Sequence, residues 1–335
     1  MKNIELGTTG EKVSQLVLGC MGLGTLVDDR ASFALLDRYA QDGGTFLDTA
    51  DCYSWFHRPG IPGGQSEEVI GRWLARSNRR DRTFISTKGS AMVADVSAVW
   101  RPGRAPAALG DGEGPVRRRR YRCAAHLTRR QPATLGTDHV DLYFVHVDDR
   151  ATPLPETLQT LADFVAEARS ATWAGRTCAH GGWNAFAACA RPTAGLSRWP
   201  CSRSIPISHA GPARARLDRG RRAARLPARA PRPQLDRLLR PAQGSVRRSP
   251  AERDRHPALA PYAGDEARHR LAVVDAIAAE IGVQPGQIVL AWLAAQISPR
   301  RFALIGTTQV DRYRQAARAL ELELTPDQLA RLDRT

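Results

Sequence analysis

The chain has 335 residues, 42% hydrophobic and 25% charged, a composition that can bury a core and excludes a wholly disordered or fibrous protein. It contains no apolar run of about 18 residues and no apolar segment near Met1, so we expect no membrane span, no secretory leader and a cytoplasmic location. Six cysteines without a CxxC pair argue against a zinc site or a disulfide scaffold.

The formal net charge of +15 is concentrated in two arginine-rich blocks. Residues 101–134 hold nine Arg and two acidic residues, and residues 169–262 hold nineteen Arg and four acidic residues. The blocks carry +7 and +15, so the rest of the chain carries −7. The positive charge is therefore a property of these two anomalous segments and not of the whole chain.

Short β-rich runs alternate with helical patterns along the chain, which is typical of βαβ units in a parallel sheet. The predicted strands are residues 12–19, 45–50, 82–89, 139–146 and 301–308. The predicted helices are residues 32–44, 66–77 (with Ser66 as the N-cap), 154–168, 265–282, 285–296, 310–322 and 325–333. About five strand-and-helix units are recognisable, and the middle of the chain has room for about three more. The pattern predicts a single (β/α)8 TIM barrel domain over residues 1–335.

Four polar side chains lie at or just beyond the carboxyl ends of predicted strands: Asp48, Tyr53, Lys88 and His146. In a barrel, active sites are built at this face. The Tyr53 phenol has an ordinary pKa of about 10, which a Lys88 ammonium held by Asp48 would lower. A tyrosine acid beside a lysine suits protonation of an oxygen while hydride reaches carbon, with His146 orienting a carbonyl. Each residue alone also fits a structural role, and it is their joint placement that favours an enzyme.

These residues carry a resemblance to a known family. The segments LDTADCY, STKG and VDLYFVHVDD resemble those of the aldo-keto reductases, and LGTTGEKVSQLVLGCMGLG resembles their N-terminal hairpin and first strand. The resemblance covers residues 1–95, 135–168 and 263–335. It implies that Tyr53 is the general acid, that Lys88 and Asp48 tune it, and that His146 positions the carbonyl of a small-molecule substrate.

The resemblance also implies NADPH as the cofactor, extended across the carboxyl-end face without a Rossmann domain. The segment IGTTQVDRYRQAA resembles the part of the family that binds the adenosine phosphates at a helix N-terminus. Arg312 falls where a family member that selects NADP pairs with the 2′-phosphate. Gln315 and Ala316 depart from the Glu and Asn that the family usually has near the adenine. The implied cofactor-binding residues are Met21, Gly22, Asp48, Gly306, Thr307, Thr308, Arg312 and Gln315, and no metal is expected.

The second arginine-rich block breaks the barrel pattern. Strands five to seven should lie in residues 169–262, yet this stretch contains one Val and two Ile, whereas buried parallel strands are rich in Val, Ile and Leu. We therefore expect these strands to be degraded or disordered and the chain as written to fold only in part. One interpretation is a natural basic arm that binds nucleic acid.

The other interpretation is a frame-displaced translation of a GC-rich gene. Synonymous codons for residues 171–183, read in another frame, encode HLGWSNVRTWRL, whose Ser-Asn pair in this family holds the nicotinamide carboxamide. Residues 198–207, 235–248 and 129–134 give VAVQQVNPD, WIAYSALLKGAY and AASLRR in the same way, in the order of the family. This agreement favours frame displacement over a basic arm.

The sequence therefore predicts an NADPH-dependent oxidoreductase that interconverts an aldehyde or ketone and its alcohol, with no nucleic-acid and no membrane partner. Two alternatives remain open. One is an inactive or non-catalytic reductase-like protein from a frame-damaged gene. The other is a basic nucleic-acid-binding protein, which rests only on the arginine-rich blocks, and these lack the interleaved aromatic residues of a stacking surface.

Overall fold

The computed structural model describes residues 1–7, 9–53, 61, 63–89, 134–146, 159–164, 172–179, 182–189, 265–297 and 300–334, of which 172–179 and 182–189 are described by their backbone alone. The chain forms two compact units. The first takes in Met1–Arg176, Ala185–Ile205 and Arg300–Ala317, and the second takes in Thr177–Asn184, Pro206–Pro299 and Arg318–Thr335. The expectation of one domain over residues 1–335 stays a prediction.

The strands are β1 (Asn3–Glu5), β2 (Lys12–Ser14), β3 (Leu16–Gly19), β4 (Phe46–Asp48), β5 (Phe84–Gly89), β6 (Leu142–Val145), β7 (Thr172–Ala179), β8 (Gly182–Cys189) and β9 (Ala303–Gly306). The helices are α1 (Asp29–Gln41), α2 (Gln65–Ser77), α3 (Asp265–Ile281), α4 (Pro285–Ala295), α5 (Val310–Ala319) and α6 (Pro326–Asp333). Residues 159–164 are also helical. The other predicted strands and helices of the described segments are confirmed, with ends that shift by a few residues, whereas the predicted strand 12–19 is divided into β2 and β3.

Seven strands form one sheet in the order β8-β7-β6-β5-β4-β3-β9. The pairings from β9 through β7 are all parallel. Among the described strands, β8 and β9 lie at the two edges, so these strands by themselves do not close a barrel. Parallel pairing aligns the carboxyl ends of β3, β4, β5 and β6 along one side of the sheet.

A hairpin formed by β1 and β2 precedes the sheet, as the resemblance implied. The predicted strand 12–19 is thus two strands, separated at Gln15. Val13 of the hairpin belongs to an apolar cluster with Leu6, Val17, Phe46 and Leu142. The hairpin therefore packs against the amino-terminal ends of the sheet and leaves the opposite ends open for polar side chains.

Helix α1 begins at an Asp28 N-cap, whose carboxylate accepts a hydrogen bond from Ala31 N at 2.8 Å. On the buried side of α1, the Tyr39 hydroxyl bonds Ser14 Oγ at 2.8 Å and Leu16 O at 2.7 Å. These bonds tie α1 to the sheet, because a buried hydroxyl needs partners.

The second unit has its own hydrophobic core, which is formed by α3, α4 and α6. Val274, Ile277 and Ile288 are buried there with Trp292 and Leu332. The Trp292 indole N–H donates to Asp333 Oδ1 at 2.7 Å. No single described helix is long and apolar enough to cross a membrane, and only α3 and α4 together, bent by 98°, satisfy the length and composition for one.

The prediction of Ser66 as an N-cap is wrong. Helix α2 begins one residue earlier, with Gly64 as its N-cap at a φ of 95°. Ser66 is buried inside the first turn, where its hydroxyl donates to Cys20 O at 2.7 Å and bonds Thr49 Oγ1 at 2.8 Å. The local pattern favours a serine at the cap, but the Ser66 hydroxyl instead hydrogen-bonds to loops that are distant in sequence.

Strand β7 occupies the position of the fifth strand, which the sequence led us to expect as degraded or disordered. β7 lies beside β6 in parallel register, with Tyr143 opposite Trp173 and Val145 opposite Gly175. A β ladder requires paired backbone N–H and C=O groups, which every residue except proline supplies. The scarcity of Val and Ile therefore did not prevent the pairing of β7 with β6. Strands six and seven and the block 101–134 lie outside the described residues.

Candidate functional site

The candidate catalytic side chains lie at the carboxyl ends of β4, β5 and β6. Asp48 is the last residue of β4, Lys88 is next to last in β5, and His146 follows β6. Tyr53 lies on the turn after β4, where Tyr53 N donates to Ala50 O at 3.4 Å. The segments are held together by the backbone, since Asp51 N donates to Lys88 O at 3.0 Å and His146 N to Gly89 O at 2.8 Å.

The Lys88 ammonium is at the centre of this site. Its Nζ donates to Asp48 Oδ2 at 2.6 Å, to Thr49 O at 2.7 Å and to the Tyr53 hydroxyl at 2.8 Å. The other oxygen of Asp48 accepts from Ser86 Oγ at 2.6 Å. An ammonium has three N–H bonds and can only donate. The three contacts therefore hold Lys88 in one position, and the Tyr53 oxygen must act as the acceptor.

This arrangement leaves the phenolic proton of Tyr53 to be donated elsewhere. Burial raises the pKa of Tyr53 to about 12. The Lys88 charge acts against this rise, and the Asp48 charge adds to it. Burial alone lowers the pKa of Lys88, but Asp48 and Tyr53 outweigh this effect and raise it above its ordinary value. At neutral pH, Tyr53 is therefore protonated and Lys88 is charged.

The expected lowering effect of Lys88 on the Tyr53 pKa is confirmed in direction, but burial outweighs it and the pKa is raised. Lys88 does act in the expected direction, but the phenolate is disfavoured more strongly by desolvation than it is favoured by the ammonium. The sequence indicates the charged neighbour of Tyr53. It does not indicate the burial of the phenol, because that burial depends on the packing of the whole site.

His146 reaches the same site from the other side of Tyr53. The two rings meet edge to face with centroids 5.9 Å apart. Nδ1 of His146 lies 3.4 Å from Cys52 Sγ. Asp48, Tyr53, Lys88 and His146 are thus brought together, as the sequence predicted, and their catalytic roles stay a prediction.

Asp51 and its surroundings were not singled out from the sequence. The side chain is buried, and neither carboxylate oxygen accepts a hydrogen bond of normal geometry. Burial raises the pKa of Asp51 to about 7, against the lowering effect of Cys52 and Lys88. The hydroxyl of Tyr143 is likewise buried without a hydrogen-bond partner. Asp51 lies between two predicted site residues in LDTADCY, and that position was the only sequence signal for it.

Apart from Asp48 at the end of β4, the predicted cofactor-binding residues form two groups, which follow the ends of the adjacent strands β3 and β9. Cys20 N donates to Asp48 O at 2.8 Å, which places the loop containing Met21 and Gly22 directly beside β4. A Cβ added at Gly22 would lie 2.8 Å from Thr308 Cγ2, so the loops after β3 and β9 are in contact. The lack of a side chain at Gly22 is what permits this approach.

The loop after β9 leads directly into helix α5. Thr307 Oγ1 accepts from Gln309 N at 3.1 Å just before the helix, and Thr307 and Thr308 are half-buried. Arg312 and Gln315 are exposed on α5, and Gly306 is exposed at the end of β9. Hydroxyls and a guanidinium at a helix N-terminus form an arrangement that suits the phosphates of a nucleotide.

Comparisons with known proteins identify the family that this chain resembles. The profile of the Aldo/keto reductase family matches residues 15–170 and 233–335. YrpG, an uncharacterized oxidoreductase of Bacillus subtilis, is 31% identical over 183 residues, which are 52% of this chain and 51% of that protein. Versiconal hemiacetal acetate reductase of Aspergillus parasiticus is 26% identical over 363 aligned positions, covering 99% of this chain and 96% of that protein.

A solved structure gives the same result for the fold. The crystal structure of the thermostable aldo-keto reductase Tm1743, in complex with the inhibitor epalrestat, has a TM-score of 0.57 and 22% sequence identity over 100% of this chain and 99% of that chain. At this identity the likeness concerns the fold alone, and with the family match it confirms the predicted (β/α)8 barrel fold. Since the family profile matches more than half of its residues, the chain belongs to the aldo/keto reductase family.

Proposed function

We propose that this chain is an NADPH-dependent carbonyl reductase in which Tyr53 is the general acid. The observation that carries the proposal is the 2.8 Å hydrogen bond from Lys88 Nζ to the Tyr53 hydroxyl. Because this bond occupies the tyrosine oxygen as an acceptor, the O–H proton is available to a substrate oxygen. The raised pKa of Tyr53 keeps that proton in place until the substrate oxygen gains charge.

The reaction is the conversion of an aldehyde or ketone to its alcohol. NADPH, when bound, supplies the hydride that adds to the carbonyl carbon. Tyr53 transfers its proton to the carbonyl oxygen, and Lys88 stabilises the phenolate that remains at 2.8 Å from its Nζ. Asp48 holds the ammonium at 2.6 Å and keeps it aimed at Tyr53. The proton returns to Tyr53 from solvent before the next turnover.

His146 is proposed to orient the carbonyl. Its ring lies edge-on to Tyr53, with the centroids 5.9 Å apart, so the two side chains border one space. A carbonyl oxygen in that space accepts a hydrogen bond from both residues when the imidazole carries its proton on the nitrogen facing the space. Two donors fix the position of the oxygen more narrowly than one.

NADPH is proposed to lie along the carboxyl-end side of β3, β4 and β9. Met21 and Gly22 would border the part of the cofactor near Asp48, and Thr307, Thr308 and Arg312 would hold its phosphates at the N-terminus of α5. The half-buried hydroxyls and the exposed guanidinium fit an anionic group there. Gly306 and Gln315 complete this end of the site.

The competing proposal is an inactive reductase-like protein from a frame-damaged gene. It is favoured by one observation, the scarcity of Val and Ile in residues 169–262, where the family profile also skips residues 171–232. The two proposals predict different results in one assay. An active chain oxidises NADPH when given aldehydes and ketones, and an inactive one does not.

The test compares the chain with Tyr53→Phe in NADPH oxidation with a panel of aromatic aldehydes, ketones and aldose sugars. We expect the variant to lose activity by about 10²- to 10⁴-fold, the usual contribution of a general acid. NADPH affinity, measured by fluorescence, should not change. Tyr143→Phe is the matched control, because it removes the buried tyrosine hydroxyl of β6 beside β5 and should keep the activity.

Two outcomes would contradict the proposal. Full activity in Tyr53→Phe would remove Tyr53 from the mechanism. No NADPH binding and no turnover of any carbonyl by the parent chain would favour the inactive protein. DNA retention that falls steeply with salt would instead support the nucleic-acid-binding alternative.

A further inference from the structure

Three potential metal ligands meet beside the proposed catalytic residues. Asp51 and Cys52 lie on the turn after β4, and His146 follows β6. One ligand atom from each of the three residues lies within 4.8 Å of the other two. The Cys52 Sγ to His146 Nδ1 distance is 3.4 Å. The two atoms share a hydrogen bond at this distance. A zinc ion with ordinary bond lengths and tetrahedral angles places sulfur and nitrogen ligands about 3.5 Å apart, so an ion that replaces the shared proton keeps this spacing.

The segments that carry these ligands are held in place by β5. Asp51 N donates to Lys88 O at 3.0 Å, and His146 N donates to Gly89 O at 2.8 Å. Both bonds are made by the main chain, so they persist whichever way the ligand side chains rotate. The ligand atoms lie within 4.8 Å of one another, so side-chain adjustment alone would bring the carboxylate to bonding distance.

A second observation is the unsatisfied carboxylate of Asp51. The residue is 3% exposed, and its two buried oxygens face the N–H and S–H of the adjacent Cys52, neither of which makes a hydrogen bond of ordinary geometry with them. Buried polar groups are almost always paired, because leaving one without a partner is unfavourable. A cation bound between Asp51 and Cys52 would satisfy this carboxylate.

We propose that Asp51, Cys52 and His146 form a binding site for a borderline or soft divalent cation, such as Zn²⁺ or Cd²⁺. A thiolate and an imidazole select these ions over Mg²⁺ and Ca²⁺, which prefer oxygen ligands. The Cys52 thiol loses its proton to solvent as the metal–sulfur bond forms. Three protein ligands leave the fourth position of a tetrahedral ion to water.

The role of this site rests on the proposed function: a cation bound here inhibits carbonyl reduction. A cation on Nδ1 of His146 fixes the imidazole and adds positive charge next to Tyr53 and Lys88. The bound ion then prevents the ring from rotating toward the carbonyl that it orients. Bound Zn²⁺ therefore lowers carbonyl reduction, and removal of the ion by a chelator restores it.

The test is a titration of the full chain with Cd²⁺, followed by the ultraviolet absorption of the Cd–thiolate bond, with cysteines kept reduced by a phosphine. We expect saturable binding that Cys52→Ser abolishes and that Asp51→Asn and His146→Gln each weaken by about tenfold or more. Cys20→Ser is the matched control, because Cys20 is also a buried free cysteine of the same sheet and should leave the titration unchanged.

The site is disproved if Cys52→Ser or Asp51→Asn binds Cd²⁺ as the parent does. His146→Gln keeps the test decisive if Cys52→Ser does not fold. Because the absorption does not depend on turnover, a chain that binds Cd²⁺ without reducing carbonyls would retain the site and lose only the proposed function. A chain that reduces carbonyls but shows no Cys52-dependent absorption would lose only the site.

Discussion

The chemistry of this site depends on the number of hydrogen bonds that each residue can make. Lys88 places its three donors on Asp48, Thr49 and Tyr53, so the ammonium is fixed and the phenol is left with a single role as a donor. Burial sets the second property, because it raises the pKa of Tyr53 to about 12. Together these two effects keep the Tyr53 phenol protonated over the whole physiological pH range, which is the state that the proposed general acid requires.

The raised pKa of Tyr53 predicts opposite pH dependences for the two directions of the reaction. Carbonyl reduction needs the protonated phenol, so its kcat/KM should be flat between about pH 8 and pH 10, well below the folded pKa. Alcohol oxidation needs the phenolate, whose fraction rises about tenfold per pH unit over the same range. Steady-state assays in both directions check this.

The control is Tyr53→Phe, in which any residual alcohol oxidation should lose its slope with pH. A reduction rate that falls with a midpoint between about pH 8 and pH 10 would show that Lys88, and not burial, dominates the pKa of Tyr53.

Helix α2 is held by close packing on one side and by polar contacts on the other. Arg72 forms two hydrogen bonds of 2.9 Å to Asp29 of α1, and the Trp73 indole donates to Asp37 at 2.8 Å. On the opposite side, Gly71 lies against the backbone of Leu135, where an added Cβ would be 2.6 Å from the carbonyl oxygen. This contact brings α2 next to the chain that leads into β6.

Gly71→Ala tests whether helix propensity or packing dominates in α2. Propensity alone favours alanine by about 1 kcal/mol. The added methyl would meet a backbone carbonyl that cannot rotate away, and such overpacking costs about 1–3 kcal/mol. We expect a lower midpoint of thermal unfolding, measured by far-ultraviolet circular dichroism.

Gly286→Ala in α4 is the matched control for this prediction. Nothing lies within 4 Å of a Cβ added at Gly286, so propensity should act alone and the midpoint should stay the same or rise. If Gly71→Ala were as stable as Gly286→Ala, the close approach of α2 to Leu135 would be wrong.

At the scale of the whole molecule, the second arginine-rich block coincides with a discontinuity in the family match. The profile skips residues 171–232, which lie within the block 169–262. The profile does run through residues 101–134 and 233–262, so the discontinuity is confined to part of the second block. The Ser-Asn pair that the family resemblance implies for the nicotinamide carboxamide would have to come from residues 171–232.

Restoring the alternative frame should increase both cofactor affinity and folding cooperativity. The restored chain would contain HLGWSNVRTWRL, VAVQQVNPD, WIAYSALLKGAY and AASLRR in place of residues 171–183, 198–207, 235–248 and 129–134. We expect tighter NADPH binding by fluorescence and a sharper unfolding transition by circular dichroism than in the chain as written. The reason is that the restored segments supply apolar strands and the Ser-Asn pair for the carboxamide.

Equal affinity and equal cooperativity in the two chains would contradict frame displacement. The nucleotide sequence of the gene, read in all three frames, gives an independent check. A single open frame with no alternative resembling the family would leave a natural basic segment.

The strand and helix pattern and the four residues at the strand ends were predictable because they depend on local periodicity and on the parallel connection of strands, which brings carboxyl ends together. The sequence also indicated the family from segments such as LDTADCY. The buried role of Ser66, the direction of the Tyr53 pKa and the meeting of Asp51 and Cys52 with His146 were decided only by the tertiary structure. These features depend on desolvation and on contacts between segments up to 94 residues apart, and no local pattern records them.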